Sequence, residues 1–271
     1  MIRLAVRVRR EDADLVLAEL LELAPGGVEE ADTEGGLVEY AVYGAPGELP
    51  ELPDLRAAAG DALVDVVTTE VADDWADRWR AFHRPIEIAG RLYVRPPWEP
   101  ERIGLLDLVI DPGQAFGTGA HHTTRLCLEL LAELEPRGAV ADLGCGSGVL
   151  AIAAAKLGFG PVLGVDHELE SVRATRENAQ VNGVALTAER FDLVRGGPAP
   201  TAPTVLANLL RPLLLCVARA GFGGPPPRTL IASGLLAEEA DQIAAAFARH
   251  GLREVERRHG GEWAALRLAS A

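Results

Sequence analysis

Three glycines at alternate positions follow a short apolar run, and a carboxylate closes the next apolar run along the chain. The glycines are Gly144, Gly146 and Gly148, and the carboxylate is Asp166. Glycine lets the backbone turn sharply and lets a ligand press against bare main chain. A carboxylate about twenty residues after such a loop is placed to accept hydrogen bonds from ribose hydroxyls. The spacing therefore predicts a nucleoside-containing cofactor at the carboxyl ends of two neighbouring parallel strands.

Two classes of cofactor compete for this glycine loop. The dinucleotide fingerprint requires a third glycine at the position that Val149 occupies. The order Asp142, Gly144, Gly146, Gly148 resembles instead the loop of the S-adenosylmethionine-dependent methyltransferases. A nicotinamide oxidoreductase remains the second hypothesis, because both classes place an acid at this spacing. A glycine-rich turn that binds nothing is the third.

The charge of the chain is unevenly distributed. The 271 residues carry a net charge of −14, and residues 1–70 hold five arginines against sixteen acidic residues. An acidic surface repels phosphates, so we expect no direct nucleic-acid partner. It attracts a basic protein instead, and a solvated acidic face without a partner is the alternative.

Composition and length narrow the class of protein further. At 48% hydrophobic and 24% charged residues, the chain is long enough for two domains. It has no apolar run of ~18 residues and no signal-peptide layout, so neither a membrane span nor secretion is expected. The three scattered cysteines predict free thiols in a reducing cytoplasm and no metal site. We expect a cytoplasmic monomer.

Residues 1–70 alternate between strand and helix patterns. Ile2, Leu4, Val6 and Val8 alternate with polar or small residues and predict a strand with one wet face. The remaining elements are a helix over 11–23, hairpin strands at 28–31 and 37–43, a helix over 52–59 and a strand at 63–69. This order predicts a ferredoxin-like domain.

A linker and a larger α/β region follow. Residues 71–104 predict a linking helix over 73–82, with Trp75 and Trp79 one turn apart, and then a proline-punctuated loop segment. In residues 105–271 we expect helices at 126–134, 149–157, 168–181 and 237–250, and strands at 139–143, 162–166, 204–208, 229–233, 252–256 and 263–268. The alternation predicts a mostly parallel sheet with helices on both faces, closed by a hairpin with one antiparallel strand.

Two further segments make the resemblance to a family specific. Residues 111–125, which contain the run Ala115-Phe116-Gly117-Thr118-Gly119, and residues 205–210 join the glycine loop. Together they resemble the methyltransferase family that acts on ribosomal protein L11 of the large subunit, over nearly the whole chain. The resemblance implies a ferredoxin-like substrate-recognition domain (1–70), a linker (71–104) and a Rossmann-like α/β catalytic domain with seven strands (105–271). It also implies S-adenosylmethionine as cofactor and N-methylation of lysine or N-terminal amines of that basic protein.

The resemblance also assigns candidate site residues. Cofactor contacts fall on Thr124, Gly144, Asp166 and Asn208, and Gly146 belongs to the same loop. Asn208 is the candidate catalytic residue, because its amide can accept a hydrogen bond from an incoming amine and hold that nitrogen near the methyl group. Plain helix capping is the alternative for Thr124, and a turn-forming asparagine is the alternative for Asn208. Residues 116–119 are expected to close over the site.

The chain departs from the family pattern at several positions. His121-His122 replaces the usual His-Pro, and we expect structural or lid roles for both histidines rather than proton transfer. Phe191 and Asp192 stand before a short proline-rich stretch, and Asp192 is the candidate contact for the adenine amine. Two alternatives stay open: a protein-lysine methyltransferase with another basic substrate, and a cofactor-binding scaffold that has lost catalysis.

Overall fold

The computed structural model describes residues 2–13, 16–17, 20, 28–33, 36–44, 49, 55, 60–70, 83–112 and 121–270. The chain divides into two compact units, Met1–Phe82 and His83–Ala271. The predicted linking helix over 73–82 and the predicted lid at 116–119 lie outside the described residues.

The first unit contains a four-stranded antiparallel sheet. Its strands are β1 (Ile2–Arg9), β2 (Glu29–Thr33), β3 (Leu37–Gly44) and β4 (Leu63–Glu70), in the order β2-β3-β1-β4. Leu4, Val6 and Val8 are buried on one face, as their alternation predicts. Arg3 and Arg7 on the other face both pair with Glu39, at 2.6 and 2.7 Å. The strand order is the one expected for a ferredoxin-like domain.

The two helices predicted in this unit fall mostly on residues that the structure does not describe. Ala13, Val16, Leu20 and Leu55 are described, have helical backbone and are buried. They pack in one cluster with the apolar face of the sheet.

A small three-stranded sheet opens the second unit. Its strands are β5 (Ile86–Ile88), β6 (Leu92–Arg95) and β7 (Leu106–Val109), with β5 and β6 antiparallel and β6 and β7 parallel. The sequence predicts a loop-rich segment for most of this region. Strands of three or four residues between prolines are too short to show alternation, which is why the pattern did not indicate them.

A seven-stranded sheet forms the centre of the second unit, in the order β10-β9-β8-β11-β12-β14-β13. The strands are β8 (Val140–Leu143), β9 (Val162–Asp166), β10 (Thr187–Arg190), β11 (Thr204–Asn208), β12 (Thr229–Leu236), β13 (Leu252–Gly260) and β14 (Trp263–Ser270). β14 runs antiparallel to both of its neighbours, and the other pairings are parallel. The sequence prediction of a mostly parallel sheet with a terminal hairpin is confirmed.

Among the described residues, five helices cover the two faces of this sheet. They are α1 (His122–Ala132), α2 (Val149–Leu157), α3 (Leu169–Val181), α4 (Arg211–Ala220) and α5 (Ala240–Ala248). Residues of α1, α2 and α3 share one buried cluster, and residues of α4 and α5 share the other. Within the described part of the chain, no helix has the length and apolar character needed to cross a membrane.

Several boundaries differ from the sequence prediction. Helix α1 begins at His122 rather than Leu126, because His121 caps it. Strand β10 and helix α4 were not predicted at all. Strand β10 lies at the sheet edge with one buried residue, Ala188, so it carries no apolar run. Helix α4 has a start signal in Pro212 at its first turn.

Candidate functional site

The candidate residues meet at one edge of the seven-stranded sheet. Strand β8 pairs with β9 on one side and with β11 on the other, all three parallel. Gly144 follows the last residue of β8, while Asp166 and Asn208 are the last residues of β9 and β11. Ligands of open α/β sheets bind at this carboxyl edge. The register therefore brings together three residues that are far apart in the sequence.

The glycine loop requires glycine for its backbone and for its packing. Gly144, Gly146 and Gly148 have φ angles of 73°, 52° and 82°, which residues other than glycine rarely adopt. A Cβ atom at Gly144 would also collide with the side chain of Leu209, and one at Gly148 would lie 2.9 Å from Thr175 Cγ2. The loop is thus a bare-backbone turn pressed closely against its neighbours.

Helix α3 fixes this loop from behind. The Thr175 hydroxyl donates to the Gly146 carbonyl at 2.9 Å, and the Asn178 amide donates to the Ser147 carbonyl at 2.9 Å. The Asn178 side-chain oxygen accepts from the Asp111 N–H at 3.2 Å. These supporting residues were not predicted. The available signal is that polar side chains stand three residues apart on the buried face of an otherwise exposed helix.

Asp166 is held by two backbone donors. Its Oδ2 accepts from the Gly146 N–H and its Oδ1 from the Glu168 N–H, both at 3.0 Å. A carboxylate offers about four lone-pair directions, so acceptor capacity remains for hydroxyls of a ligand. The carboxylate is nearly buried, whereas His167 next to it is exposed, with Nδ1 3.4 Å from Asp166 Oδ1.

Asn208 and Thr124 are in direct contact. The Asn208 Nδ2 donates to the Thr124 Oγ1 at 3.1 Å, and Thr124 is fully buried. The Asn208 Oδ1 is also buried, yet it finds no hydrogen-bond partner among the residues that the structure describes. Leaving a buried acceptor unpaired is costly, and such atoms in native structures call for an explanation. An amine or hydroxyl proton of a ligand at this edge would satisfy it.

The cap of helix α1 is His121 rather than Thr124. The His121 Nδ1 accepts from the Thr123 N–H at 3.3 Å and lies 2.8 Å from the Thr123 hydroxyl. Burial and the neighbouring His122 lower the pKa of His121, which favours the neutral ring whose Nδ1 can accept. The ring also packs edge-on against Trp263, with centroids 5.0 Å apart. This geometry gives His121 a structural role at the start of the helix.

Asp142 is a buried carboxyl group directly beneath the glycine loop. It is 1% exposed, and its Oδ2 accepts from the Ala151 N–H in the first turn of α2 at 3.1 Å. Its Oδ1 has no partner within the described residues. Burial raises the pKa of the Asp142 carboxyl to about 7, an effect that the Ala151 N–H partly offsets.

This raised pKa predicts a dependence of stability on pH. The folded carboxyl has a pKa of about 7, above the unfolded value of about 3.9, so the folded state binds more protons between these values. The stabilisation is therefore fully present below about pH 4 and is lost as the pH rises through about 7. Asp142→Asn keeps an oxygen for the Ala151 N–H but removes the titration. As the pH rises from 5 to 8, the free energy of unfolding of the ligand-free Asp142→Asn variant should increase by roughly 1–3 kcal/mol relative to that of wild type. Denaturant unfolding of both proteins at several pH values measures this gain, and a difference that does not change with pH would contradict it.

Phe191 and Asp192 lie just beyond the end of β10, next to Asp166. The Phe191 N–H donates to the Asp166 carbonyl at 2.8 Å. The Asp192 carboxylate accepts from the Val194 and Arg195 N–H groups at 2.8 and 3.2 Å, and these bonds lower its pKa. The adenine contact proposed for Asp192 remains a prediction.

The described residues hold no cluster of three or more histidine, cysteine or acidic side chains that could bind a metal ion. All three cysteines are free thiols, and Cys127 and Cys145 are buried. Burial raises the pKa of the Cys145 thiol to about 12, so the sulfur in the glycine loop stays protonated and unreactive.

Comparisons with known proteins point in one direction. The family model "Ribosomal protein L11 methyltransferase (PrmA)" matches residues 53–270. A ribosomal protein L11 methyltransferase of Burkholderia multivorans is 36% identical, over 97% of this chain and 96% of its own. One of Pelotomaculum thermopropionicum is 40% identical, over 78% of this chain and 70% of its own. The crystal structure of a ribosomal protein L11 methylase from Lactobacillus delbrueckii subsp. bulgaricus superposes with a TM-score of 0.60 at 29% identity, covering 69% of this chain and 99% of that one.

Proposed function

We propose that this chain, which belongs to the ribosomal protein L11 methyltransferase family, transfers methyl groups from S-adenosylmethionine to amine nitrogens of ribosomal protein L11. One observation carries the proposal beyond the family relationship. A bare-backbone glycine loop, a carboxylate held by backbone N–H groups and an amide with an unsatisfied oxygen (within the described part of the chain) end three adjacent parallel strands.

The residues present suit S-adenosylmethionine. Asp166 would accept from the ribose hydroxyls, and the backbone at Gly144 and Gly146 would lie against the cofactor. Thr124 would contact it from α1 and Asn208 from β11. When bound, S-adenosylmethionine supplies a methyl group on a positively charged sulfur. The protein's part is to bind, to orient and to exclude water.

Asn208 orients the acceptor amine in this proposal. Its Nδ2 is committed to Thr124 Oγ1, which fixes the amide plane and directs Oδ1 to one position. That oxygen accepts from an N–H of the neutral amine and thereby aligns the nitrogen lone pair. An unperturbed lysine has a pKa of about 10.4, and an α-amine has a pKa of about 8. Desolvation in a narrow site favours the neutral form of the amine. A proton released to water before closure makes a dedicated strong base unnecessary.

Incubation with purified ribosomal protein L11 and radiolabelled S-adenosylmethionine, followed by mass-spectrometric mapping, tests the proposal. Label on lysine or N-terminal nitrogens of L11 is the expected result. Label on another basic protein but none on L11 would favour the related protein-lysine methyltransferase. Cofactor binding without transfer to any protein would favour a scaffold that has lost catalysis.

We further propose that residues 1–70 form the substrate-recognition domain and dock the basic substrate through their charge. The region carries sixteen acidic residues against five arginines, and Glu30 and Asp65 are exposed among its described residues. Opposite charges steer association and weaken with ionic strength. The enzyme would act as a monomer in the cytoplasm, where ribosomal proteins are made, and would need no direct contact with nucleic acid.

Salt is therefore expected to weaken substrate binding selectively. Raising NaCl from about 50 to about 300 mM should increase the KM for L11 roughly tenfold. The affinity for S-adenosylhomocysteine should change less than about twofold, because the cofactor is held by short contacts at the sheet edge. Steady-state kinetics and calorimetry measure the two effects. A KM for L11 that is indifferent to salt would remove the electrostatic docking role.

Deleting residues 1–70 provides a second test of the docking domain. The truncated protein should lose methylation of L11 but keep its affinity for S-adenosylhomocysteine. Methylation of L11 that survives the deletion would show that docking lies elsewhere.

A further inference from the structure

The residue that follows Asn208 packs against a glycine on the neighbouring strand. Asn208 is paired with Ser233 in the parallel register of β11 and β12, and the Leu209 N–H donates to the Ser233 carbonyl at 2.9 Å. Gly234 comes next, with a φ of 82°. A Cβ atom there would lie 2.5 Å from the Leu209 carbonyl oxygen, 2.7 Å from its carbonyl carbon and 2.9 Å from its nitrogen. Because all three atoms are backbone, no side-chain rotation relieves the collision.

The same glycine sits in a bulge of β12. Ala232 pairs with Leu266 and Leu235 with Ala264, so that Ser233 and Gly234 together face one residue of β14. The Ser233 hydroxyl is fully buried and donates to the Ala264 carbonyl at 2.9 Å, which fixes the bulge in place. Bulges next to active sites redirect a side chain or end a pairing.

Leu209 is confined from its other side by the glycine loop. Its side chain occupies the space that a Cβ atom at Gly144 would fill, and it is buried. Gly234 lies against the backbone of Leu209, and Gly144 lies against its side chain. Leu209 can therefore occupy only one position. The direction of the preceding residue, Asn208, is set by that position and by the bond to Thr124.

We propose that Gly234 is a positioning residue for methyl transfer, acting through the Leu209 backbone on the direction of Asn208 Oδ1. The inference rests on the proposed role of Asn208 in orienting the amine. Asp166 ends β9, which is separated from β12 by two strands, β8 and β11. A change at Gly234 should therefore affect the transfer step far more than the affinity for the cofactor.

A pair of glycine variants separates the collision from the strain. Gly251, in the turn before β13, has a φ of 76°, and a Cβ atom there meets nothing within 4 Å. Gly234→Ala and Gly251→Ala thus impose the same left-handed strain, but only the first meets backbone atoms. We expect kcat with L11 to fall at least ~30-fold for Gly234→Ala and less than ~3-fold for Gly251→Ala. The Kd for S-adenosylhomocysteine, measured by calorimetry, should stay within ~3-fold of the wild-type value for both variants. Equal losses of kcat in the two variants would overturn the proposal.

Two further measurements keep the test decisive. If Gly234→Ala does not fold, Ser233→Ala loosens the same bulge by removing one buried hydrogen bond. It should lower kcat several-fold at unchanged affinity for S-adenosylhomocysteine, and an unchanged kcat would count against the proposal.

If Gly234→Ala folds, it is combined with Asn208→Ala. In the Asn208→Ala background, Gly234→Ala should lower kcat by less than a further ~3-fold, because the amide through which Gly234 is proposed to act is already absent. A full additional loss would show that the glycine acts otherwise. An unchanged kcat in Asn208→Ala alone would instead refute the proposed function of Asn208.

Discussion

Asn208→Ala is expected to lower kcat for methylation of ribosomal protein L11 by roughly 10²-fold, which corresponds to about 2.7 kcal/mol of transition-state stabilisation. The amide oxygen at this position is buried and unsatisfied among the described residues, and its partner nitrogen is fixed on Thr124. Removing the oxygen leaves the amine free to rotate away from the line of attack. Single-turnover rates with purified L11 measure the transfer step directly.

The circular dichroism spectrum and the thermal unfolding of Asn208→Ala are the controls for folding, and calorimetry with S-adenosylhomocysteine measures the loss of its proposed cofactor contact separately. Asn208→Asp keeps an oxygen at the same place and should lose less activity than the alanine variant. A transfer rate within about twofold of wild type in Asn208→Ala would remove this residue from the mechanism.

Asp166→Ala is expected to raise the Kd for S-adenosylhomocysteine by roughly 10²-fold. The carboxylate would provide charge-assisted acceptors for the ribose hydroxyls. It also accepts from the Gly146 N–H at 3.0 Å and so ties the glycine loop to the end of β9. Both contributions disappear with the side chain. Isothermal titration calorimetry at a fixed pH measures the change.

Glu168→Ala is the matched control for charge. Glu168 is a carboxylate two residues further on, and its side chain is 58% exposed. Its removal changes the net charge of the site region equally but breaks no contact with the glycine loop, so the Kd should rise less than about threefold. Equal losses in the two variants would mean that general electrostatic attraction, and not the geometry of Asp166, holds the cofactor.

The predicted fold was most accurate where an element is buried along its whole length. Helix α2 and strands β9 and β11 have the bounds that the sequence predicted, Val149–Leu157, Val162–Asp166 and Thr204–Asn208. Each is a nearly continuous apolar run bounded by glycine or polar residues, and such a run is unambiguous. Sequence analysis missed β10, whose exposed residues leave no apolar run. It also missed α4, where a short apolar run at 213–218 does not distinguish a helix from a strand.

The residue types of the site were predictable, but their support was not. The spacing of the glycines and of Asp166 along the chain predicts a site for a nucleoside-containing cofactor. Thr175 and Asn178, which hold the loop from helix α3, lie on an ordinary-looking amphipathic helix. The buried Asp142 could have been recognised from a carboxylate within an apolar strand, although its raised pKa depends on how completely the fold encloses it.

The sequence by itself determined the buried elements of the seven-stranded sheet, the glycine loop and the family, because alternation, glycine placement and short motifs are local properties of neighbouring residues. Only the tertiary structure decided that β11 lies beside β8, which brings Asn208 to the edge where Gly144 and Asp166 lie, and that Leu209 lies between Gly144 and Gly234. These contacts join residues from different strands, and their distances depend on strand register and on one bulge. Register is a property of the assembled sheet. Each strand can be predicted from its own residues, but its register depends on the strands with which it pairs.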